Sequence, residues 1–124
     1  MELIQQYDTA VLREMEGDRD GAIELLRTIL AESPNFALAH NALSAMYGRA
    51  EKIDQAIEHA KRYTELEPDD AFGYAILSAL CVKAGRREEA EAALMNAQQS
   101  QMRAYMESRQ KEEKEKEEEK IEEE

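Results

Sequence analysis

The chain has 124 residues, the size of one ordinary domain, and so excludes a multi-domain enzyme. Sixteen Lys and Arg against twenty-eight Asp and Glu leave a net charge of −12, which repels phosphate backbones and anionic lipid, so neither nucleic acid nor a membrane surface is expected as a partner. No apolar run approaches the ~18 residues of a bilayer span, and two Pro, five Gly, no Trp and abundant Ala, Glu, Lys, Leu and Arg mark a helical protein.

The elements repeat at a fixed interval. Pro34 and Pro68 stand 34 residues apart, and the same shift superimposes Ala22, Ala56 and Ala90. It also superimposes Leu12, Met46 and Leu80, the pair Leu43 and Leu77, and the small residues Ala10, Ser44 and Ser78. Gly17 falls on Gly85 with Glu51 between them. Three units follow, at about 3–36, 37–70 and 71–104, together spanning 1–104.

The second unit shows the pattern inside each. Leu38, Ala42, Leu43, Ala45, Met46 and Ala50 recur at the three-and-four spacing of a helix. Gly48 to Lys52 interrupts it, and Ile53, Ala56, Ile57, Ala60, Tyr63 and Thr64 resume it. Pro68 ends the unit, since it has no amide hydrogen and restricts the residue before it. Asp69 or Asp70 can then accept the free amides of the next helix. Two helices per unit make an antiparallel hairpin, and hairpins must stack to bury their second faces.

The third unit has Met102 where proline is expected, and nothing between Glu88 and Glu124 is Gly or Pro. One helix is therefore expected from about Arg87 to near Lys120, its part from 105 to 124 an acidic extension. Glu–Lys pairs at four-residue spacing, Glu107–Lys111 and Glu112–Lys116, support it weakly. From Lys111 onward the net charge is −5, which leaves −7 on the body, so the body is acidic in its own right.

These columns resemble the tetratricopeptide repeat family, whose pattern sets small residues at a helix crossing, alanine early in the second helix and proline near the unit's end. With units starting at Leu3, Ala37 and Ala71, the matches are Ala10, Ser44, Ser78; Ala22, Ala56, Ala90; and Pro34, Pro68. The family's aromatic at the eleventh position survives only as Tyr47, with Arg13 and Cys81 in the other units. The resemblance implies an all-α, right-handed α-solenoid of three helix hairpins carrying the acidic last helix. It implies a concave groove lined by the first helix of each unit. Carried over residue by residue, the groove is Tyr7 and Val11; Leu38, Asn41, Ala45 and Arg49; and Phe72, Ala75, Ala79 and Lys83, with Glu14 and Val82 among further positions. Small Ala45, Ala75 and Ala79 leave room for a chain, Tyr7, Leu38 and Phe72 suit apolar side chains, and Asn41 can bond a peptide backbone. Arg49 and Lys83 share one column at the edge, where they would attract a carboxylate. The basic and asparagine set with which the family's chaperone-binding members clamp a C-terminal carboxylate is replaced by Tyr7, Val11, Ala42, Phe72 and Ile76, so a more apolar peptide or helix is expected.

The second surface is the last helix. Glu91 stands where earlier units have Ile23 and Ile57, and Gln98 where they have Leu30 and Thr64, which polarises the terminal face, yet Leu94, Met95, Met102, Tyr105 and Met106 lie on or beside it. Either the helix folds back on its own unit, or Met95, Met102, Tyr105 and Met106 pack against a second copy in a homodimer.

Chemistry is poorly represented. His40 and His59, the two histidines, fall at different positions of the second unit, with no Cys or carboxylate at a recognised metal spacing. Cys81 lies on an apolar run and reads as a small buried hydrophobe. No glycine-rich phosphate loop is present. No catalytic residue, metal or cofactor is assigned. The reading is a non-enzymatic adaptor that binds a peptide or amphipathic helix of another protein, with a homo-oligomeric assembly subunit as the alternative and a metal-dependent hydrolase using His40 and His59 as a remote third. A single cysteine and an N-terminus without the basic start and apolar run of a secretory signal predict a cytoplasmic setting.

Overall fold

The computed structural model describes residues 2–123, and among them the regular structure is wholly helical. The helices are α1 (Leu3–Met15), α2 (Arg19–Glu32), α3 (Ala37–Arg49), α4 (Ile53–Leu66), α5 (Ala71–Lys83) and α6 (Arg87–Glu123). They pair as hairpins α1/α2, α3/α4 and α5/α6, and successive hairpins stack α2 on α3 and α4 on α5. The first helices start at Leu3, Ala37 and Ala71, one repeat interval apart.

Each hairpin turns through a residue of the same column in the left-handed region: Gly17 (φ 96°), Glu51 (φ 61°) and Gly85 (φ 75°). The amide three residues beyond the helix end then bonds back across the turn, as Asp18 N–H does to Arg13 O (2.8 Å), Lys52 N–H to Tyr47 O (2.9 Å) and Arg86 N–H to Cys81 O (2.8 Å). Two of the following helices have acidic caps. Asp18 accepts from the Gly21 amide (2.9 Å) at α2, and Asp70 accepts from the Phe72 amide (3.0 Å) at α5.

The crossing columns are buried for the reason the repeat requires: axes only ~8–10 Å apart leave no room for large side chains. Ala22 and Ala56 are 0% exposed and Ala90 5%, against Ala10 at 0%, Ser44 at 2% and Ser78 at 9%. In the third hairpin the Ser78 hydroxyl donates to Ala90 O (2.8 Å), so the close approach also satisfies a buried polar group. Around these pack Leu26, Ile29, Leu43 and Ile57, all fully buried.

One column divides by its place in the stack. Met46 and Leu80 are buried by the hairpin before them, whereas Leu12 is 56% exposed, because no hairpin precedes α1 in the described chain. The three residues share a repeat column but not an environment. Ala39 and Leu43 have their counterparts in α1 in Gln5 and Thr9, which need less cover than an alanine and leucine would.

Helix α6 runs unbroken for 37 residues, ~55 Å at ~1.5 Å per residue. Its buried side is Ala90, Ala93, Ala97 and Ser100. The Ser100 hydroxyl donates to Asp69 O (2.9 Å) and Arg103 pairs with Asp69 (3.6 Å), which anchors the helix to the turn between α4 and α5. From Gln101 onward every described residue is exposed, so the helix projects from the stack and does not fold back on it.

Candidate partner-binding groove

None of the ten expected groove residues is buried. Tyr7, Val11, Asn41 and Ala45 are half-buried, and Leu38, Arg49, Phe72, Ala75, Ala79 and Lys83 are exposed. Four of them meet in one open cleft of about 730 Å³ between α3 and α5. Ala45, Gly48 and Arg49 supply one wall, Ile76, Ala79, Val82 and Lys83 the other, with Ser44 and Leu80 below. The cleft exists because its helices carry small residues at the positions facing it. A side chain the size of leucine at 45 or 79 would occupy it. Phe72, 79% exposed, and Leu38, 40% exposed, stand in one column near the start of their helices. Tyr7 is held edge-on against Phe36, ring centroids 6.4 Å apart, which ties it to the core.

The two cations differ. Arg49 donates from Nε to Glu14 Oε2 (3.1 Å) and through a second nitrogen to Oε1, and Arg19 also reaches Glu14 (3.4 Å). Glu14, itself at an expected groove position, thus offsets the Arg49 charge locally and joins the first and second hairpins. Lys83 has only Glu51 at 3.9 Å, with both side chains more than half exposed. An exposed pair at that distance holds the ammonium weakly. Lys83 is the cation of this column best placed to meet a new carboxylate.

Sequence reasoning separated the histidines, but the fold joins them. In an antiparallel hairpin, residues equidistant from the turn meet, and His40 and His59 flank the Gly48–Lys52 turn almost symmetrically. Their Nδ1 atoms lie 3.1 Å apart, and His40 Nε2 is 2.8 Å from Pro34 O. A carbonyl only accepts, so His40 carries its proton on Nε2. Its Nδ1 then accepts from His59 Nδ1–H. Tyr47 stacks on His59, with centroids 5.7 Å apart. Both His40 nitrogens are consumed, leaving it no lone pair for a metal, and among the described residues no three His, Cys, Asp or Glu are placed to hold one. Burial, then the neighbouring His40 ring, lowers the His59 pKa below its ordinary 6.5.

Other ionisable groups serve the scaffold. Cys81 is fully buried, and burial pushes its thiol pKa up, away from the reactive thiolate. Burial and the hydrogen bond to Asp70 raise the Tyr63 phenol to about 12. Lys61 bonds Glu89 (2.7 Å) and lowers its pKa, linking α4 to α6, and Arg86 bonds Asp54 (2.8 Å). A second cleft, about 280 Å³ and mainly apolar, lies at the end of the stack among Ser78, Val82, Gly85, Ala90 and Leu94. No described helix is long and apolar enough to cross a membrane.

Comparison with known proteins follows the same lines. The sequence model of the family described as Tetratricopeptide repeat matches residues 15–80, just over half the chain. No curated protein matches. Among solved structures, MamA superimposes with a TM-score of 0.80 at 20% identity, over 85% of this chain and 61% of that one. The Yersinia enterocolitica type III secretion chaperone SycD, in complex with a peptide of the translocator YopD, gives 0.73 at 18%, over 79% and 75%. The second TPR of Spaghetti (RPAP3), bound to the HSP90 peptide SRMEEVD, gives 0.71 at 18%, over 78% and 90%. The chain therefore spans about three fifths of MamA.

Proposed function

The chain belongs to the tetratricopeptide repeat family, and from that premise we propose that it is a non-enzymatic interaction module holding a peptide or amphipathic helix of another protein in the groove of α1, α3 and α5. The observation that supports this most is the open cleft between α3 and α5, whose walls are mainly small or apolar and whose edge carries Lys83. An apolar ligand side chain entering between Ala45 and Ala79 would bury surface against Ile76 and Val82, at ~25 cal/mol per Å² removed from water. Phe72 and Leu38 extend that apolar track, and a ligand carboxylate would find Lys83 before the neutralised Arg49. Two structural neighbours of the same fold were solved with peptides, SycD with one from YopD and the RPAP3 repeat with one from HSP90. That supports the mode of binding and names no partner for this chain. A free, buried Cys81 is consistent with a cytoplasmic setting.

Selection from a displayed random-peptide library tests the reading. The wild-type chain is expected to enrich a convergent peptide with an apolar anchor. Ala79→Trp, at an exposed position where the fold tolerates it, should plug the cleft and weaken binding at least about tenfold with unchanged helicity. No convergence, or equal binding by Ala79→Trp, would refute it.

A further inference from the structure

The exposed side of α6 is built to receive something. At ~100° per residue, Leu94, Met95, Met102, Tyr105 and Met106 fall within roughly one third of the helix circumference, on the side away from Ala93, Ala97 and Ser100. These five large apolar side chains are 49–61% exposed. Charges close the stripe at both ends in opposite order: Arg87 pairs with Glu91 (3.2 Å) before it, and Arg109 with Glu113 (3.8 Å) after it.

That order selects the occupant. We propose that the stripe binds a second copy of this chain, the two α6 helices lying antiparallel with the two-fold axis at the level of Ser100. In this register Glu91 meets the partner's Arg109 and Arg87 meets the partner's Glu113. Each end of the interface becomes a cluster of two cations and two carboxylates. Between the clusters Leu94 faces the partner's Met106, and Met95 faces the partner's Tyr105. The apolar cleft beside Leu94, lined by Val82 and Ala90, lies level with the partner's Met106 and receives its flexible side chain. A parallel pairing would set Arg109 against its own copy and Glu91 against its own, which costs energy. The antiparallel contact is isologous and closes as a dimer. The seam runs from Arg87 to Glu113, ~40 Å of helix. It uses α6 and the Val82 end of α5, and leaves α1, α3 and the Ala45 and Ala79 walls open; it does not depend on the groove reading, although Val82 borders both clefts.

Equilibrium sedimentation of the full chain up to about 100 µM, where a dimer of micromolar affinity is nearly saturated, tests this with three variants. The wild type should be dimeric. Glu91→Arg and Arg109→Glu, each of which makes like charges meet, should each raise the dissociation constant at least about tenfold. Combining them restores opposite charges and should return it to within about threefold of wild type. All four proteins should keep the same far-ultraviolet circular dichroism, because these side chains are exposed. A monomeric wild type, a dimer indifferent to both single changes, or a double variant no tighter than the singles would each overturn the proposal.

Discussion

The ring of Tyr63 lies against the bare Cα of Gly73: a Cβ built on that glycine would stand 2.8 Å from Tyr63 Cδ1 and Cε1. The ring cannot readily withdraw, since its hydroxyl donates to Asp70, the cap of α5. Gly73→Ala therefore overpacks the α4–α5 contact. The change should cost about 1–3 kcal/mol, set against about 1 kcal/mol of improved helix propensity, for a net loss in urea denaturation. Gly48→Ala is the contrasting case. Its Cβ would sit 3.4 Å from Leu80 Cδ2, an ordinary contact, so the propensity gain should dominate and stabilise by up to about 1 kcal/mol.

Glu51 holds a turn that its counterparts Gly17 and Gly85 make with glycine, at φ 61°. A left-handed non-glycine residue costs roughly 1–2 kcal/mol. Glu51→Gly should raise the denaturation midpoint by the equivalent of about 1 kcal/mol, since the Lys83 contact it forgoes is long and exposed.

Ala56 is fully buried where α4 crosses α3. Ala56→Leu should lower stability by about 1–3 kcal/mol. An unchanged melting temperature would mean that the repeat register is wrong.

The periodic features were legible because each repeat imposes the same steric demand at the same column: alanines at the crossings, a positive-φ turn residue, helix starts at Leu3, Ala37 and Ala71. The long α6 was legible from the lack of any helix breaker. What depended on neighbours was not. Leu12 has the sequence of a core residue and the exposure of a stack end. Arg49 looked free until Glu14, one repeat and one residue earlier, closed on it. The histidine pair required the hairpin itself, because it joins positions that share no column. Ala45, Arg49, Ala79 and Lys83 were readable as the lining of one groove, whereas Ile76, which completes the α5 wall, was not.

His59 makes stability depend on pH. It faces His40 and Tyr47 from α3, Arg27 from α2 and Glu58 on its own helix, and its folded pKa lies below 6.5. Unfolded, it titrates near 6.5. Its contribution is therefore complete above that value and is lost as the pH falls through the lowered folded pKa. Thermal midpoints should decline from pH 7 to pH 5, with a shallower slope in His59→Gln. Equal slopes would remove His59 as the cause.

Truncation after Gln110 removes residues whose described members are all exposed, with Ile121 the single apolar side chain. The fold should lose helical signal in proportion to length and less than about 0.5 kcal/mol of stability, measured below 1 µM (about the lower limit for a weak dimer).

Where a selected peptide touches the protein tests the groove most directly. In amide chemical-shift mapping on the uniformly labelled chain, titration should move Ala45, Gly48, Ala79 and Val82, the walls of the α3–α5 cleft. Shifts confined to α6, or to the outward surfaces of α2 and α4, would contradict it.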